Sequence, residues 1–412
     1  MRLLSLSLQN IGPFDDAHLE FLSDPEDRPA VTLLTGENGT GKSVLLDAIR
    51  GMFGQHYCKL ERTLWRPDTP FQVELSLELE GARRTLSSTR PGQGDFSPSP
   101  HHYHFYNLPH KVANGGPCPS WVVDFWRSSL ATDEYEIRSL SKQDHRSYLN
   151  GALQGTQRNA AVTELICGFD YLRDSRDPRE RQAGEVLYEA TRKIVEESLL
   201  EGGKLVHVQR STFTPMVEQS GRVVPLANLS SGNAYLIQRM ISLLGKMYAV
   251  HVLMDSDPAD VCKIPGLLLI DEAENHFHPR WQKSLLRKIL GVFPNLQIIA
   301  TTHSPFILSS ILGARVYVCR FDREKNTCVV AEETDAYANK PIEEVLLSGA
   351  FDQTQPFGEE ISKLIEDRKD AVQRGDRAER RRIEGLLQEK NPDYFSYFNV
   401  DEKLRALGGE GQ

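Results

Sequence analysis

Eight consecutive residues, Gly36-Glu37-Asn38-Gly39-Thr40-Gly41-Lys42-Ser43, carry the chemistry of phosphate binding in their types and spacing. They fit G-x-x-x-x-G-K-[ST] without a mismatch. In such a loop the glycines let backbone N–H groups curl around phosphate oxygens. The lysine reaches the β- and γ-phosphates, and the serine offers its hydroxyl to Mg²⁺. Residues 31–35 are apolar and residues 44–49 read as a helix. The loop therefore runs from a strand into a helix N-terminus, whose dipole adds a positive end. Binding of a nucleoside triphosphate follows from this context.

Two further groups can act on a bound triphosphate. Leu267-Leu268-Leu269-Ile270 is a buried-strand pattern that ends in Asp271 and Glu272, where α/β sheets gather their ligands. Asp271 is placed to hold Mg²⁺, directly or through water, and Glu272 to orient and deprotonate an attacking water. His303 follows a second strand directly and stands between Thr302 and Ser304. An imidazole there can hydrogen-bond the γ-phosphate or the water and so register hydrolysis.

A second anion site is expected where Leu229-Ser230-Ser231-Gly232-Asn233 opens a helix, from free N–H groups and the helix dipole. Ser230 also reads as the N-cap of that helix. One P-loop lysine with two anion-binding helix ends suggests two copies of the chain sharing nucleotide. Each P-loop would be completed by the Ser230 region of the other copy.

The elements that must position these groups are legible in outline. Residues 2–9 alternate apolar and polar, and residues 17–22 form a second run after the Gly12-Pro13 turn, so a β-hairpin is expected to feed the P-loop strand. Residues 71–79 alternate almost without fault, and residues 82–89 return after Gly81. Residues 91–119, rich in Pro, Gly, Ser and His, read as loop. Residues 140–200 read as charged helices.

Leu236, Ile237, Met240, Ile241, Leu244 and Met247 give the helix that follows Ser230 an apolar side. A helix is expected from Pro279 to Val292, between strands at 267–270 and 296–302. Strand–helix–strand at this length predicts a parallel pair. Asp255-Ser256-Asp257 reads as a solvated turn. Residues 358–392 predict a helical hairpin broken at Gly375-Asp376, with Tyr394, Phe395, Tyr397 and Phe398 packed beneath it.

Bulk properties narrow the classes. The 412 residues are 40% hydrophobic and 25% charged, with a net charge of −9. These are the values of a soluble globular chain and disfavour a general nucleic-acid-coating surface. No apolar run reaches membrane-spanning length, so no membrane partner is expected. The alternating N-terminus is unlike a signal peptide. Six scattered cysteines without a C-x-x-C pair suit a reducing cytoplasm.

Taken in order, these motifs resemble the ATP-binding cassette (ABC) class of P-loop ATPases, in the SMC, RecF and OLD branch rather than the transporter branch. Gly36 to Ser43 correspond to Walker A, Leu229 to Asn233 to the LSGGQ-like signature, Leu267 to Glu272 to Walker B with the catalytic glutamate, and His303 to the switch histidine. Asp271-Glu272-Ala273-Glu274-Asn275-His276-Phe277-His278-Pro279 is similar to the D-E-x-E-x-H-x-H-P run common in that branch. Ser231 replaces the first signature glycine and Asn233 the glutamine. Those departures imply weaker contacts across a dimer or slower hydrolysis. The stretch between Ser43 and Leu229 lacks sustained heptads, which argues against long coiled-coil arms. The segment after residue 350 is too short for a TOPRIM nuclease of the OLD kind.

The resemblance implies an α/β fold: an ABC-ATPase head with a mixed central sheet, an antiparallel β subdomain, a helical insertion and a C-terminal helical hairpin. Residues 1–130 would form the N-terminal lobe with Walker A, and 131–204 the insertion. Residues 205–350 would form the lobe with signature, Walker B and switch histidine, and 351–412 a tail for partner docking or oligomerisation. It implies ATP and Mg²⁺ as ligands. Association would be as a homodimer or higher homo-oligomer through ATP-sandwiching heads.

An armless head with a charged tail is similar to the ATPase family of Septu-type anti-phage defence pairs, which act with a separately encoded HNH or TOPRIM nuclease. Two other expectations stand beside it. One is a RecF-type repair ATPase that binds duplex DNA, and the other an ATP-binding scaffold with little turnover.

Overall fold

The computed structural model describes residues 1–22, 30–53, 69–90, 97–98, 114–116, 118–127, 135–140, 144–150, 159–199, 202–337, 340–346, 348 and 357–397. The chain divides into two compact units, Met1–Val345 and Leu346–Gln412. Among the described residues no helix is long and apolar enough to cross a membrane.

The first unit is organised by a six-stranded sheet of β3 (Val31–Gly36), β7 (Val122–Trp126), β11 (Gly266–Ile270), β12 (Leu296–Thr301), β13 (Arg315–Asp322) and β14 (Thr327–Glu332). The strand order is β14-β13-β3-β12-β11-β7. All neighbours run parallel except β13 and β14, so the sheet is mixed. β3, β7, β11 and β12 are buried at every position. A parallel strand covered on both faces explains why β11 reads as an unbroken apolar run rather than an alternating one. The predicted parallel pair of β11 and β12 is present, with Leu268 opposite Ile298.

A five-stranded antiparallel sheet lies against one side of this core. It is built from β1 (Arg2–Ile11), β2 (Phe14–Glu20), β4 (Phe71–Leu79), β5 (Ala82–Arg90) and β6 (Ser97–Pro98), in the order β2-β1-β4-β5-β6. The β1–β2 hairpin therefore belongs to a different sheet from the P-loop strand it precedes. Leu6, Leu8, Val73 and Leu75 from this sheet share a buried cluster with Leu45, Ile49 and Met52 of α1 (Lys42–Phe53) and with Leu267, Leu269 and Ile299 of the central sheet. Helix α1 is thus packed among side chains of both sheets. Gln297 stitches the two sheets together. Its side-chain amide accepts from Leu3 N at 2.7 Å and donates to Leu3 O at 2.8 Å. The contact falls where the β1–β4 register shifts between Leu3 and Ser5, so it satisfies backbone groups at an irregularity of the ladder.

Helices α2 (His145–Asn150), α3 (Asn159–Leu172) and α4 (Pro178–Ser198) pack with the long α5 (Ser231–Met254). Asp177 caps α4 by accepting from Arg179 N and Glu180 N. The apolar side predicted for α5 is buried, and so are Gln238, Arg239 and Lys246 on its other sides. Between α4 and α5 lies a small antiparallel sheet, β8 (Lys204–Gln209), β9 (Thr214–Gln219) and β10 (Arg222–Pro225), to which the sequence reading assigns no strands. A register shift between Leu205 and His207, with Val206 and Val223 exposed, breaks the period-2 pattern that would have marked it.

The single helix expected over 279–292 is two: α6 (Pro279–Gln282) and α7 (Leu285–Val292). Ser284 N and Oγ both donate to the carbonyl of Trp281, which turns the chain before α7 starts. Asp255 closes α5 in the left-handed conformation at φ 49°, and Asp257 caps the following 3-10 turn, as a solvated turn requires. Short helices α8 (Pro305–Leu308), α9 (Thr334–Tyr337) and α10 (Ile342–Leu346) complete the elements before the C-terminal unit.

That unit contains α11 (Glu359–Gln373) and α12 (Arg377–Lys390), separated by Gly375 at φ 71° and capped by Asp376. Ala371, Ile383, Leu387 and Phe395 form its core. Of the four aromatics expected to pack beneath the hairpin, Phe395 lies in this core. Tyr394 is half exposed and edges against Phe357. Phe398 and most of residues 91–119 lie outside the described residues.

Candidate functional site

The P-loop leaves β3 at Gly36 and enters α1 at Lys42. Gly36, Gly39 and Gly41 all take positive φ, at 134°, 82° and 94°. At Gly36 and Gly41 there is also no room for a side chain. A Cβ on Gly36 would lie 2.0 Å from the carbonyl oxygen of Cys319, and one on Gly41 would lie 2.6 Å from Phe14 and Pro13. The tip of the β1–β2 hairpin therefore buttresses the loop. Pro13 is itself held by Thr327 Oγ1 and Cys328 N, which donate to its carbonyl at 2.9 and 2.8 Å. Thr40 closes the loop internally by donating to Glu37 O at 2.8 Å. Glu37, Asn38 and Gly39 are exposed at its tip.

Lys42 points into the loop. Its ammonium donates to Gly36 O at 2.8 Å and Glu37 O at 2.7 Å. Burial holds its pKa below the ordinary lysine value, opposed by Cys319, Glu274, Asp271 and Glu272. Burial pushes the Cys319 thiol up to about 12, so it serves as packing beneath the lysine and not as a nucleophile.

Ser43 reaches across to the end of β11, where its hydroxyl donates to Asp271 Oδ1 at 3.0 Å. Thr301 Oγ1 donates to the same oxygen at 2.8 Å and accepts from Glu272 N at 2.7 Å. One hydroxyl from β12 thus fixes both acidic residues of β11. Glu272 takes a left-handed φ of 52°, uncommon for a residue with a side chain. Its carboxylate is exposed and accepts from Asn275 Nδ2 at 2.5 Å.

His303 lies within electrostatic reach of Lys42, Glu274, Glu272 and Asp271. Burial first, and then the Lys42 charge, lower its pKa, so the imidazole is neutral at pH near 7 and can accept a hydrogen bond. The sequence-predicted residues Lys42, Ser43, Asp271, Glu272 and His303 therefore converge at the C-terminal edge of the central sheet. Ser43 Oγ and Asp271 Oδ1 are adjacent hard oxygen donors of the kind Mg²⁺ takes.

The signature segment lies apart from this cluster. Ser230 is the N-cap of α5, but its side chain makes no capping hydrogen bond, and Ser230 and Ser231 are exposed. Among the described residues no hydrogen bond joins residues 230–232 to the P-loop. Gly232 instead abuts the turn after Glu272, and the Tyr235 ring lies 5.3 Å from His276 and 5.6 Å from Phe277. Tyr235 Oη and Arg239 both donate to Arg127 O at 2.9 Å, at the end of β7.

Sequence reasoning gave no role to four residues that shape the site: Thr301, Glu274, Asn275 and the Arg127 carbonyl. The hydroxyl pair before His303 and the second acid in Asp271-Glu272-Ala273-Glu274 were the available signals. The Arg127 carbonyl leaves none, because any residue supplies one.

Comparison with known proteins shows what the chain is similar to. A family model described as "AAA domain, putative AbiEii toxin, Type IV TA system" matches residues 127–309, and a second AAA-domain model matches residues 5–90. The retron Vc95 probable ATPase of Vibrio cholerae serotype O1 biovar El Tor is 22% identical over 187 residues, covering 44% of this chain and 35% of that protein. The Septu protein PtuA of Bacillus thuringiensis is 23% identical over 310 residues, covering 74% of this chain and 72% of that protein. The chain spans 35% and 22% of the length of the two retron ATPases it matches. Among solved structures, the SMC head domain from Thermotoga maritima aligns with a TM-score of 0.44 at 15% identity, covering 81% of this chain and 99% of that one.

Proposed function

We propose that this chain, an AAA-family P-loop ATPase of the SMC and RecF kind, binds and hydrolyses ATP as the regulatory subunit of an anti-phage defence complex. Two heads associate around ATP, and their release on hydrolysis or depletion licenses a separately encoded nuclease of HNH or TOPRIM type. The observation that carries the ATPase reading is the link from Ser43 to Asp271 and Thr301, which brings loop and strand-end acids into one site.

On nucleotide binding, Lys42 exchanges its bonds to Gly36 O and Glu37 O for the β- and γ-phosphates. Ser43 and Asp271 would hold Mg²⁺, which when bound would supply neutralisation of charge on the phosphates. Glu272, steadied by Asn275, takes a proton from the attacking water, and neutral His303 accepts a hydrogen bond near the γ-phosphate. The exposed Ser230 and Ser231, with the free N–H groups of the α5 terminus, suit contact with the triphosphate of a second copy. ATP must then bind the closed pair better than the separate heads. The defence role is supported by likeness to the retron and Septu ATPases.

Phosphate release from ATP tests the enzyme, with Lys42→Ala expected to abolish it and Glu272→Gln to trap ATP-bound dimers visible by sedimentation. Shared sites are tested by mixing Lys42→Ala chains with Ser231→Arg chains. Each is inactive alone, but their heterodimer rebuilds one complete site and recovers turnover. Mixtures as inactive as either parent would reject the shared-site arrangement. The defence reading predicts that a nuclease encoded beside this chain copurifies with it and is activated when ATP is depleted.

A further inference from the structure

We infer that Glu274 is a positioning residue for hydrolysis, fixing the segment that carries His303; the inference rests on the ATPase reading above. Glu274 Oε1 accepts from His303 N at 2.7 Å, and Oε2 accepts from Thr302 Oγ1 at 2.6 Å. Each carboxylate oxygen is therefore engaged by a protein donor. That separates Glu274 from Glu272, whose exposed carboxylate is steadied by Asn275 alone among the described hydrogen bonds.

The backbone explains why such a brace is needed. Thr302 N still donates to Leu34 O at 2.9 Å, but the chain then leaves the sheet for α8. A backbone N–H at a strand exit must find a partner outside the ladder. For His303 that partner is the carboxylate, and a charged acceptor makes the stronger kind of bond.

The brace is part of a wider lacing between the turn after β11 and the exit of β12. Ala273 N donates to Thr301 O at 3.0 Å, Ser304 N to Thr302 Oγ1 at 3.0 Å, and Ser304 Oγ to Gln282 Oε1 at 2.5 Å. Glu274 sits at the centre of this lacing. Without it, Thr302 and His303 lose their direct hydrogen bonds to the turn that follows β11, Asp271 and Glu272. The imidazole is then aimed by a loose backbone, and misplacement of about 1 Å in such a group costs about 100-fold in rate.

The test compares full-length Glu274→Ala, Glu274→Gln, Lys42→Ala and wild-type protein by three measurements. These are steady-state ATP hydrolysis, affinity for a fluorescent ATP analogue, and hydrogen exchange of a peptide spanning residues 302–304 without nucleotide. Thermal melting confirms that each variant is folded. Glu274→Ala is expected to lower kcat about 100-fold, with KM and analogue affinity nearly unchanged, and to speed exchange in the 302–304 peptide. Glutamine keeps an acceptor for His303 N and can donate to Thr302 Oγ1. It should restore slow exchange and most of the turnover.

Unchanged exchange in Glu274→Ala, or kcat retained while KM rises, overturns the inference. Wild-type turnover no greater than that of Lys42→Ala overturns the ATPase reading instead. The exchange measurement then still decides whether Glu274 holds the His303 backbone.

Discussion

The carbonyl oxygen of His276 lies 2.4 Å from where a Cβ on Gly232 would stand. The start of the signature helix thus rests directly on the turn that follows Asp271 and Glu272. Tyr235, one turn of helix later, packs its ring against His276 and Phe277 and bonds Arg127 O. Gly232 has a steric reason to be glycine: room for a neighbouring carbonyl.

Gly232→Ala should therefore push α5 away from the turn even though its helical φ suits alanine. We expect a loss of about 1–3 kcal/mol in stability, typical of forced overpacking. Turnover should fall while binding of a fluorescent ATP analogue to the P-loop is retained. Equal urea midpoints for variant and wild type would reject the contact.

The glycines of the P-loop should differ in tolerance. Gly36→Ala meets both a disfavoured φ and the Cys319 carbonyl at 2.0 Å, so about 3 kcal/mol or more should be lost. Gly39→Ala meets no heavy atom within 4 Å and should lose only the cost of a left-handed alanine, about 1–2 kcal/mol. Urea denaturation of the two variants checks the order, and the reverse order would rule out the steric argument.

What could be read from the sequence follows from how local each signal is. The loop at residues 36–43 and the unbroken run at 266–270 declare themselves because glycine placement and burial on both faces are written in adjacent residues. The partner of Asp271 is harder to see. Thr301 lies on another strand, and only the parallel register of β11 with β12 brings its hydroxyl to both Asp271 and Glu272. The β8–β10 sheet is masked by its bulge and exposed valines. Glu274 was visible as a residue but not as a brace, because its donors are a hydroxyl and a backbone N–H, 28 and 29 residues away respectively.

A buried ion pair ties the middle of α5 to β7. Lys246 Nζ lies 2.5 Å from Asp124 Oδ1, and both side chains are almost wholly buried. Asp124 also accepts from Phe125 N at 2.8 Å and Trp126 Nε1 at 3.1 Å. Lys246→Met strands the carboxylate and should cost about 3–5 kcal/mol. Adding Asp124→Asn removes the charge and keeps an acceptor for one of the two donors, Phe125 N on Oδ1 or Trp126 Nε1 on Oδ2, so the double variant should be more stable than Lys246→Met. Urea midpoints of the three proteins decide it; a double variant less stable than the single one would sink this account.

Acid sensitivity should come in part from two histidines. Burial is the largest cause lowering both His251 and His303 from the ordinary value of 6.5, reinforced by Arg179 at the first and Lys42 at the second. The folded protein therefore takes up these two protons less readily than the unfolded chain. Between the depressed folded pKa values and 6.5 the unfolded state holds more protons, so stability rises with pH across that window. The contribution is whole above 6.5 and is lost as pH falls toward the folded values, below which it changes no further. His251 Nδ1 pairs with Ser256 Oγ at 2.9 Å, and a glutamine can keep such a contact without titrating. Urea midpoints of wild type and the His251→Gln, His303→Gln double variant, measured from about pH 5 to 8, isolate the effect from that of the carboxylates. The wild type should lose stability more steeply than the variant below 6.5 and run parallel to it above. Parallel curves throughout would mean that neither imidazole is depressed in the folded chain.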